Sequence, residues 1–433
     1  MADPRRYRLD ETVQRYGSVV VGGSPLKLFR LTPGGMNVLD RIAAGDAVDR
    51  SVLSDALLDA GAIHPASVST THSAYSVADL TVVVPAFGPP DHVPDGAIVV
   101  DDGSEPPVCG SAIRLDANRG PAAARNAGLG LVTTPLVAFV DTDVALPVGW
   151  LEPLLAHFDD ERVALVAPRV RTSSTASAIG RYEHDHSPLD LGPEPARIRA
   201  GTRVGYVPAA AIVCRTDAIR AIGGFDTSLR FGEDVDLVWR LVGAGWMCRY
   251  EPVSTVHHTP RPDPGSWLRQ RIGYGSSAAP LSTRHPGALA PIRMSGWSVG
   301  AWVLGAIGRP VLGVTLGAGS AVALIKKLPD VPPRVSLELA GRGNLNAGFQ
   351  IADAVRRVWW PLLAIAALRS RSARRVLFAS AIAARRPLRL LDDVAYSLGV
   401  WRGMLAERTL DPLIPQISSW PGNSTPAPPA ADR

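Results

Sequence analysis

The chain of 433 residues holds only three cysteines, Cys109, Cys214 and Cys248, and none falls in a Cys-x-x-Cys spacing. That excludes a disulfide framework and a cysteine-ligated zinc site, and it suits a reducing compartment. No apolar run reaches the roughly 20 residues that cross a bilayer straight. The formal net charge is +5 and the pI about 9.3, yet the arginines are scattered, with no basic stripe interleaved with aromatics. A nucleic-acid partner is therefore excluded as the reading of that charge. The polar start MADPRRYRLD has no apolar signal segment.

What is present is enough for a core. Apolar residues make up 46% of the chain and charged residues 20%, ordinary values for a folded protein. The length fits two or three domains. Residues 1–65 read as a small module: a hairpin over Thr12 to Gly22, a helix within Pro25 to Ala44, and a second helix over Val52 to Ala60. This pattern predicts a winged-helix-like domain. The stretch from Pro65 to Ser76 reads as a linker. The tail from Ser418 to Arg433, rich in Pro, Ser and Ala, is expected to be disordered.

From Asp79 the pattern changes. Leu80 to Pro85, Ala97 to Val100 and Leu136 to Val140 are short β-branched or apolar runs, as expected of strands covered on both faces. Helical stretches, Ala122 to Leu129 and Leu151 to Phe158, alternate with the later strands, which predicts a parallel α/β sheet over residues 79–284. Residues 285–417 then read as a helical, membrane-associated region. Met294 to Ile307 and Pro310 to Ile325 are apolar, with Trp297, Trp302, Trp359 and Trp360 suited to a membrane interface. Val355 to Leu368, followed by Arg369, Arg371, Arg374 and Arg375, reads as an amphipathic surface helix with a basic flank. The expected location is the cytoplasmic face of the cell membrane.

Four motifs lie where strands of the α/β region end, the place where ligands bind in open α/β sheets. Asp101-Asp102-Gly103-Ser104 offers carboxylates able to accept from a uracil N–H or a ribose hydroxyl, although the same residues make good turns. In Asn118 to Gly128, Arg125 is placed to hold a carboxylate or a diphosphate. Asp141-Thr142-Asp143 ends an apolar strand. Two carboxylates there are costly unless compensated, and a hard divalent cation compensates them while bridging to phosphate. Gly223 to Asp226 precedes Gly232-Glu233-Asp234-Val235-Asp236, where Glu233 and Asp234 open a helix whose dipole favours carboxylates. One of the two is a candidate general base; simple N-capping is the plainer reading.

In this order and spacing VVVPAF, DDGS, RNAG, DTD and GGFD…GEDVDLVWR resemble glycosyltransferase family 2, the inverting group with the GT-A fold. The resemblance implies that Pro85 and Ala86 line the nucleotide pocket, Asp102 meets the uracil, and Asp141 meets the ribose or donor sugar. It implies that Asp143 binds Mn²⁺ or Mg²⁺, with His258 or its neighbour His257 as a further ligand, and that Asp234 is the base. Departures are visible. Phe87-Gly88 stands where the family often has an aromatic-Asn pair, and the segment from Pro89 to Gly96 is too short for the usual first helix. Arg269 to Tyr274 does not match the Gln-x-x-Arg-Trp motif of the processive synthases.

The N-terminal module, in RYGSVVVGGSPLKLFRLTPGG, looks like the peptide-chaperone fold of quinone-cofactor biosynthesis. Together with RYE at 181–183 and YGSSAAPL at 274–281, it makes the chain similar to the mycofactocin-system branch of the family. That implies glucose transfer from UDP-glucose to a small peptide-derived redox cofactor precursor, repeated into a short β-glucan. It also implies a peptide or biosynthetic partner for the N-terminal module. Two other readings compete: a transferase acting on a polyprenyl-phosphate or cell-envelope glycan, and a non-catalytic sugar-nucleotide-binding protein. A nucleotidyltransferase is excluded, because the first strand is not followed by a Gly-rich, Lys/Arg-bearing loop.

Overall fold

A computed structural model describes residues 5–66, 73–90, 92–173, 175–261 and 263–418. Residues 67–72 of the expected linker and 419–433 of the expected tail lie outside the described residues. The chain divides into two compact units: Met1–Gln14, Val21–Lys27 and Leu31–Pro264 form one, and Arg15–Val20, Leu28–Arg30 and Gly265–Arg433 the other.

The N-terminal segment carries strands β1 (Arg5–Leu9), β2 (Gln14–Tyr16), β3 (Val19–Gly22) and β4 (Lys27–Arg30), helix α1 (Pro33–Ala43), β5 (Ala47–Val48), α2 (Val52–Asp59) and β6 (Ile63–Pro65). Two small sheets form, in the orders β5-β1-β6 and β2-β3-β4. The first helix, Pro33–Ala43, lies within the range 25–44 given by the apolar spacing and starts eight residues into it. Thr32 caps it through its side chain, and Pro33 takes the first helical position, where its missing N–H is not needed. The preceding residues 27–30 pair as a strand instead. Ser51 starts α2 with a reciprocal capping box to Ser54. Within the first unit, carboxylates of this segment meet arginines of the α/β sheet region: Asp10 with Arg203, Asp55 with Arg162 and Asp59 with Arg197, each at 2.9 Å.

The α/β domain consists of β7 (Leu80–Ala86), β8 (Ile98–Asp101), β9 (Ile113–Arg114), α3 (Pro121–Leu129), β10 (Leu136–Val140), β11 (Val144–Ala145), α4 (Glu152–Leu155), β12 (Val163–Thr172), α5 (Ala178–His186), β13 (Ala196–Ile198), β14 (Ala211–Arg215), α6 (Thr216–Ala221), α7 (Glu233–Gly243) and β15 (Met247–His258). The nine strands run β11-β15-β12-β14-β10-β7-β8-β9, with β13 beside β15. This is the expected α/β sheet of a GT-A fold, but it is mixed, not purely parallel. β7, β8, β9 and β10 pair in parallel, whereas β14 runs antiparallel to both β10 and β12. A continuous apolar run reports burial on both faces and carries no signal of strand direction, so the reversal at β14 is invisible to it.

All of β10 is buried, as its sequence required. Leu136, Ala138 and Val140 join Leu154, Phe158 and Val256 in the main core on one face. Covering a Val, Leu or Phe side chain is worth about 1.5–3 kcal/mol, so this strand alone anchors the DTD segment firmly. On the helix α3, Gly128 lets the backbone lie against Val83 of β7, where an added Cβ would clash.

The second unit is helical: α8 (Pro264–Ser276), α9 (Ala278–Arg284), α10 (Gly296–Ala306), α11 (Pro310–Lys327), α12 (Pro333–Ala354), α13 (Trp360–Ala367), α14 (Arg371–Ala383) and α15 (Pro387–Glu407), with a two-stranded pair of β16 (Arg293–Met294) and β17 (Gln416–Ile417). By length and composition α11 is the one helix among the described residues able to cross a membrane. The expected amphipathic helix over Val355 to Leu368 is broken into a π-helical turn, Val355–Trp359, and α13. The turn buries Arg356, which donates to Asp393 at 2.6 Å and to the Ser380 carbonyl. Satisfying that cation inside the unit accounts for the departure from a plain surface helix.

Candidate active site

The strand ends bring most of the singled-out residues to one edge of the sheet. Asp141 and Asp143 follow β10, His258 closes β15, and Glu233 and Asp234 begin α7. Gly232, at a φ of +80°, turns the chain into that helix, and Glu233, Asp234 and Asp236 fill its first turn, where the dipole favours negative charge.

The carboxylate of Asp143 lies 3.3 Å from Nε2 of His258 and 3.7 Å from Nη2 of Arg261. β11 and β15 set this contact, because Val144 pairs with His258 and Ala145 with His257. Successive strand residues face opposite sides, so it is His258, not His257, that reaches Asp143. Burial pushes the Asp143 carboxyl upward. The hydrogen bond and charge of His258, with Arg261, outweigh that and hold it below the usual carboxylate range. One carboxylate, half-buried on Asp143, and one imidazole, buried on His258, suit a divalent cation that takes its other ligands from water or phosphate. Among the described residues no group of three or more His, Cys, Asp or Glu side chains forms a closed metal cage.

Arg125, expected to hold a carboxylate or a diphosphate, holds two carboxylates of the protein itself. Only 2% of it is exposed, and its guanidinium donates to Glu233 at 2.8 Å and to Asp141 at 2.7 Å. It also stacks 5.3 Å over the ring of Phe225. The cation is thus committed to two protein carboxylates, and it ties the loop after β10 to the start of α7. Burial works against its charge, but the two acids raise its pKa. Asp141 itself is raised, chiefly by burial, with Arg125 opposing.

Glu233 is therefore a paired anion, while Asp234 has no cationic partner at hydrogen-bond distance among the described residues. Its carboxylate accepts only backbone N–H groups, from Val235 at 2.8 Å and Ala209 at 3.2 Å. Burial, then the charge of Glu233, pushes its pKa up to about 7. A carboxylate poised there can exchange a proton near neutral pH.

The DDGS carboxylates face inward. Asp101 is fully buried and accepts from the N–H groups of Ser104 and Val108 and from Arg114. Asp102 accepts from the N–H groups of Arg119 and Gly120 at 2.7 and 2.8 Å, which shapes the entry to α3. Both were expected to meet a nucleotide; in the fold their oxygens also hold loops, because backbone N–H groups near a buried carboxylate must be satisfied there. Pro85 and Ala86 end β7 beside Val100 and Asp101. Ala86 is buried and accepts from the Asp102 N–H, while Pro85 stays partly open.

Asn126 has a different part from any read in sequence. Its amide makes a two-way bond with the backbone of Phe225, at 2.8 and 2.9 Å, locking the Gly-Gly-Phe-Asp turn to α3. Gly224, at a φ of +72°, lies so close that a Cβ would stand 2.5 Å from the Asn126 oxygen. Asn126→Ala is expected to leave two backbone groups of Phe225 unpaired and to cost about 1–3 kcal/mol, read as a lower denaturation midpoint in urea; an unchanged midpoint would refute the lock. Arg261 was not anticipated, since it follows the last strand and gains meaning only when the chain end of β15 meets the DTD loop.

Comparison with known proteins accords with this geometry. Residues 94–220 match the model of glycosyl transferase family 2. The chain is 40% identical to the pre-mycofactocin glycosyltransferase of Mycobacterium tuberculosis, over 93% of this chain and 95% of that one. It is 26% identical to the human probable polypeptide N-acetylgalactosaminyltransferase 8, over 34% of this chain and 26% of the other. Among solved structures, a mannosyltransferase from Pyrobaculum calidifontis in complex with GDP-Man and Mn²⁺ overlaps 76% of this chain and 87% of its own, at 14% identity and a TM-score of 0.42. The chain therefore belongs to glycosyl transferase family 2 and is a glycosyltransferase.

Proposed function

We propose that the enzyme transfers glucose from UDP-glucose to a small peptide-derived redox cofactor precursor, a premycofactocin, with inversion, and repeats the transfer into a short β-glucan. The similarity that spans nearly the whole chain supports the acceptor. The observation that supports the mechanism is the bridge from Asp141 through Arg125 to Glu233, which leaves its neighbour Asp234 with backbone N–H partners and no cation at hydrogen-bond distance among the described residues. In this reading Asp234 takes the proton from the acceptor hydroxyl as that oxygen attacks the anomeric carbon. Glu233, held by Arg125, stands next to Asp234 and helps keep that carboxylate basic. Asp141, fixed by Arg125, receives the donor's ribose or sugar hydroxyls.

Asp143 and His258 would hold a divalent cation, Mn²⁺ or Mg²⁺. Bound there, it supplies positive charge to the departing diphosphate. Asp101 and Asp102 act at a distance, by fixing the loops that stand with Pro85 and Ala86 around the nucleotide. Asp143→Ala is expected to weaken cation-dependent UDP binding by an order of magnitude or more, measured by calorimetry with and without Mn²⁺. Equal affinity in both conditions would remove Asp143 from the cation site.

The test of function is incubation of the purified enzyme with UDP-glucose, Mn²⁺ and a premycofactocin acceptor, followed by mass spectrometry. A ladder of hexose additions on the acceptor supports the proposal. The exposed apolar helices of the second unit favour one rival, transfer to a polyprenyl phosphate or another envelope glycan carrier. A hexose found on an added polyprenyl phosphate, and none on the small acceptor, would move the reading there. No transfer to either, with UDP still bound, would turn it to a sugar-nucleotide-binding protein.

A further inference from the structure

Three helices of the second unit are apolar yet hardly covered. Among their described residues only Ser298 of α10 and Gly313 and Ala321 of α11 are buried, and none of α13 is. Val314, Ile365 and Leu368 stand 72, 69 and 76% exposed. A helix in a water-soluble bundle turns such residues inward, and an exposed apolar surface of this extent marks an interaction site.

What joins these helices is polar and small. Asn344 of α12 accepts from the Ser298 hydroxyl of α10 at 2.9 Å and donates to the Ser320 hydroxyl of α11 at 3.1 Å. The indole N–H of Trp302 donates to the Asn344 carbonyl. Gly313 lets α11 approach α10 so closely that a Cβ would lie 2.6 Å from the Ala301 carbonyl oxygen. Hydrogen bonds and small residues inside, with apolar side chains outside, is how helices associate in lipid, where the hydrophobic effect gives no drive between them.

The charge agrees. No acidic residue occurs between Asp263 and Asp330, or between Asp353 and Asp392. Lys326 and Lys327 end α11, and Arg369, Arg371, Arg374 and Arg375 follow α13. A second copy of the chain would oppose like charges on this face, whereas anionic headgroups match them. The lengths limit the depth. At 1.5 Å per residue α10 and α13 reach only about 16 and 12 Å, against about 30 Å of bilayer core. The α11 helix, at about 27 Å, comes near that span, but its close packing on the short α10 through Gly313 and Ala301 keeps it at the level of that helix. The first half of α12 carries Arg334, Glu338 and Arg342, charges that belong at the headgroup level.

We propose that α10, α11 and α13 sink into one leaflet of an anionic membrane without crossing it, with the lysines and arginines at their ends in the headgroup layer. This surface is independent of which acceptor is glycosylated, and its test reads binding, not turnover.

The full chain is mixed with vesicles of phosphatidylcholine, alone or with phosphatidylglycerol, and floated on a density gradient. It should float with the anionic vesicles, and salt should weaken the binding. Changing Arg369, Arg371, Arg374 and Arg375 to Gln should lower partitioning about fivefold per arginine, a few hundred-fold in all. In a Cys109→Ser background, an environment-sensitive dye on Val314→Cys or Ile365→Cys should be quenched more by lipids brominated near the headgroup than near the chain ends. Absence of flotation in low salt, or self-association in place of flotation, overturns the proposal. Strongest quenching by the chain-end bromines overturns the one-leaflet placement.

Discussion

Asp234→Asn is expected to lower kcat by about 10²–10⁴-fold, the span over which a positioned general base acts, while UDP affinity stays close to that of the wild type. The substitution keeps the shape but only one of the two acceptor oxygens, since the Val235 N–H donates to Oδ1 and the Ala209 N–H to Oδ2. The loss of turnover is one of proton transfer, and one backbone bond is given up besides. The same residue sets a pH dependence. Since burial and Glu233 push the Asp234 pKa up to about 7, wild-type turnover should rise through neutral pH as the carboxylate ionises, and level off above. Stability should move the opposite way. A carboxyl raised in the fold above its ordinary value of 3.8 holds its proton more tightly than the unfolded chain does. Its contribution is complete in acid and is lost as pH rises through about 7. Asp234→Asn removes that liability while giving up one backbone bond, so its Tm relative to the wild type's should be more favourable at about pH 8 than at about pH 5. A variant that keeps near-normal turnover sinks the base assignment. A variant that is inactive but much less stable at pH 8 shows that the carboxylate was a support of the fold.

Arg125→Gln is the second large effect. It leaves Glu233 and Asp141 facing each other without the cation that holds both. Removing one partner of a buried charge pair costs about 3–5 kcal/mol, and the low end applies because Asp141 reaches solvent. The activity consequence is separate. Arg125 lowers the Asp234 pKa, though less than burial and Glu233 raise it. Without the guanidinium the rising limb of the pH–rate profile should move to higher pH, beyond what a loss of folded protein would produce. Arg125→Gln combined with Glu233→Gln should regain part of the stability and bring the limb back toward lower pH. If the single variant keeps the wild-type pH profile and melting temperature, the bridge carries no weight.

The order of the motifs was enough to identify an α/β sheet with strand-end carboxylates. The β-branched runs at 80–85, 97–100 and 136–140 were expected to be covered on both faces; 136–140 is buried throughout, whereas the other two are buried at Val83, Val84, Val99 and Val100 and half-buried elsewhere. Likewise Glu233 and Asp234 were legible as the start of a helix, since acidic residues before an apolar helical face have few other stable places. The roles of individual polar side chains were not legible. Asp101 and Asp102 looked like ligands for a nucleotide, and only the loops folded back over them show that backbone N–H groups take their oxygens.

Residue type, spacing and apolar period are local properties, and they determined the family, the sheet, the helix starts and the inventory of carboxylates. Which of those carboxylates is paired was decided by the tertiary structure. Arg125, Asp141 and Glu233 are distant in the chain, and their contact exists only because α3, β10 and α7 converge. The choice of His258 over His257 rests on strand pairing, and the mixed direction of the sheet on chain reversal at β14. Pairing is a matter of distances of a few ångströms between segments far apart in sequence, and no local pattern encodes them.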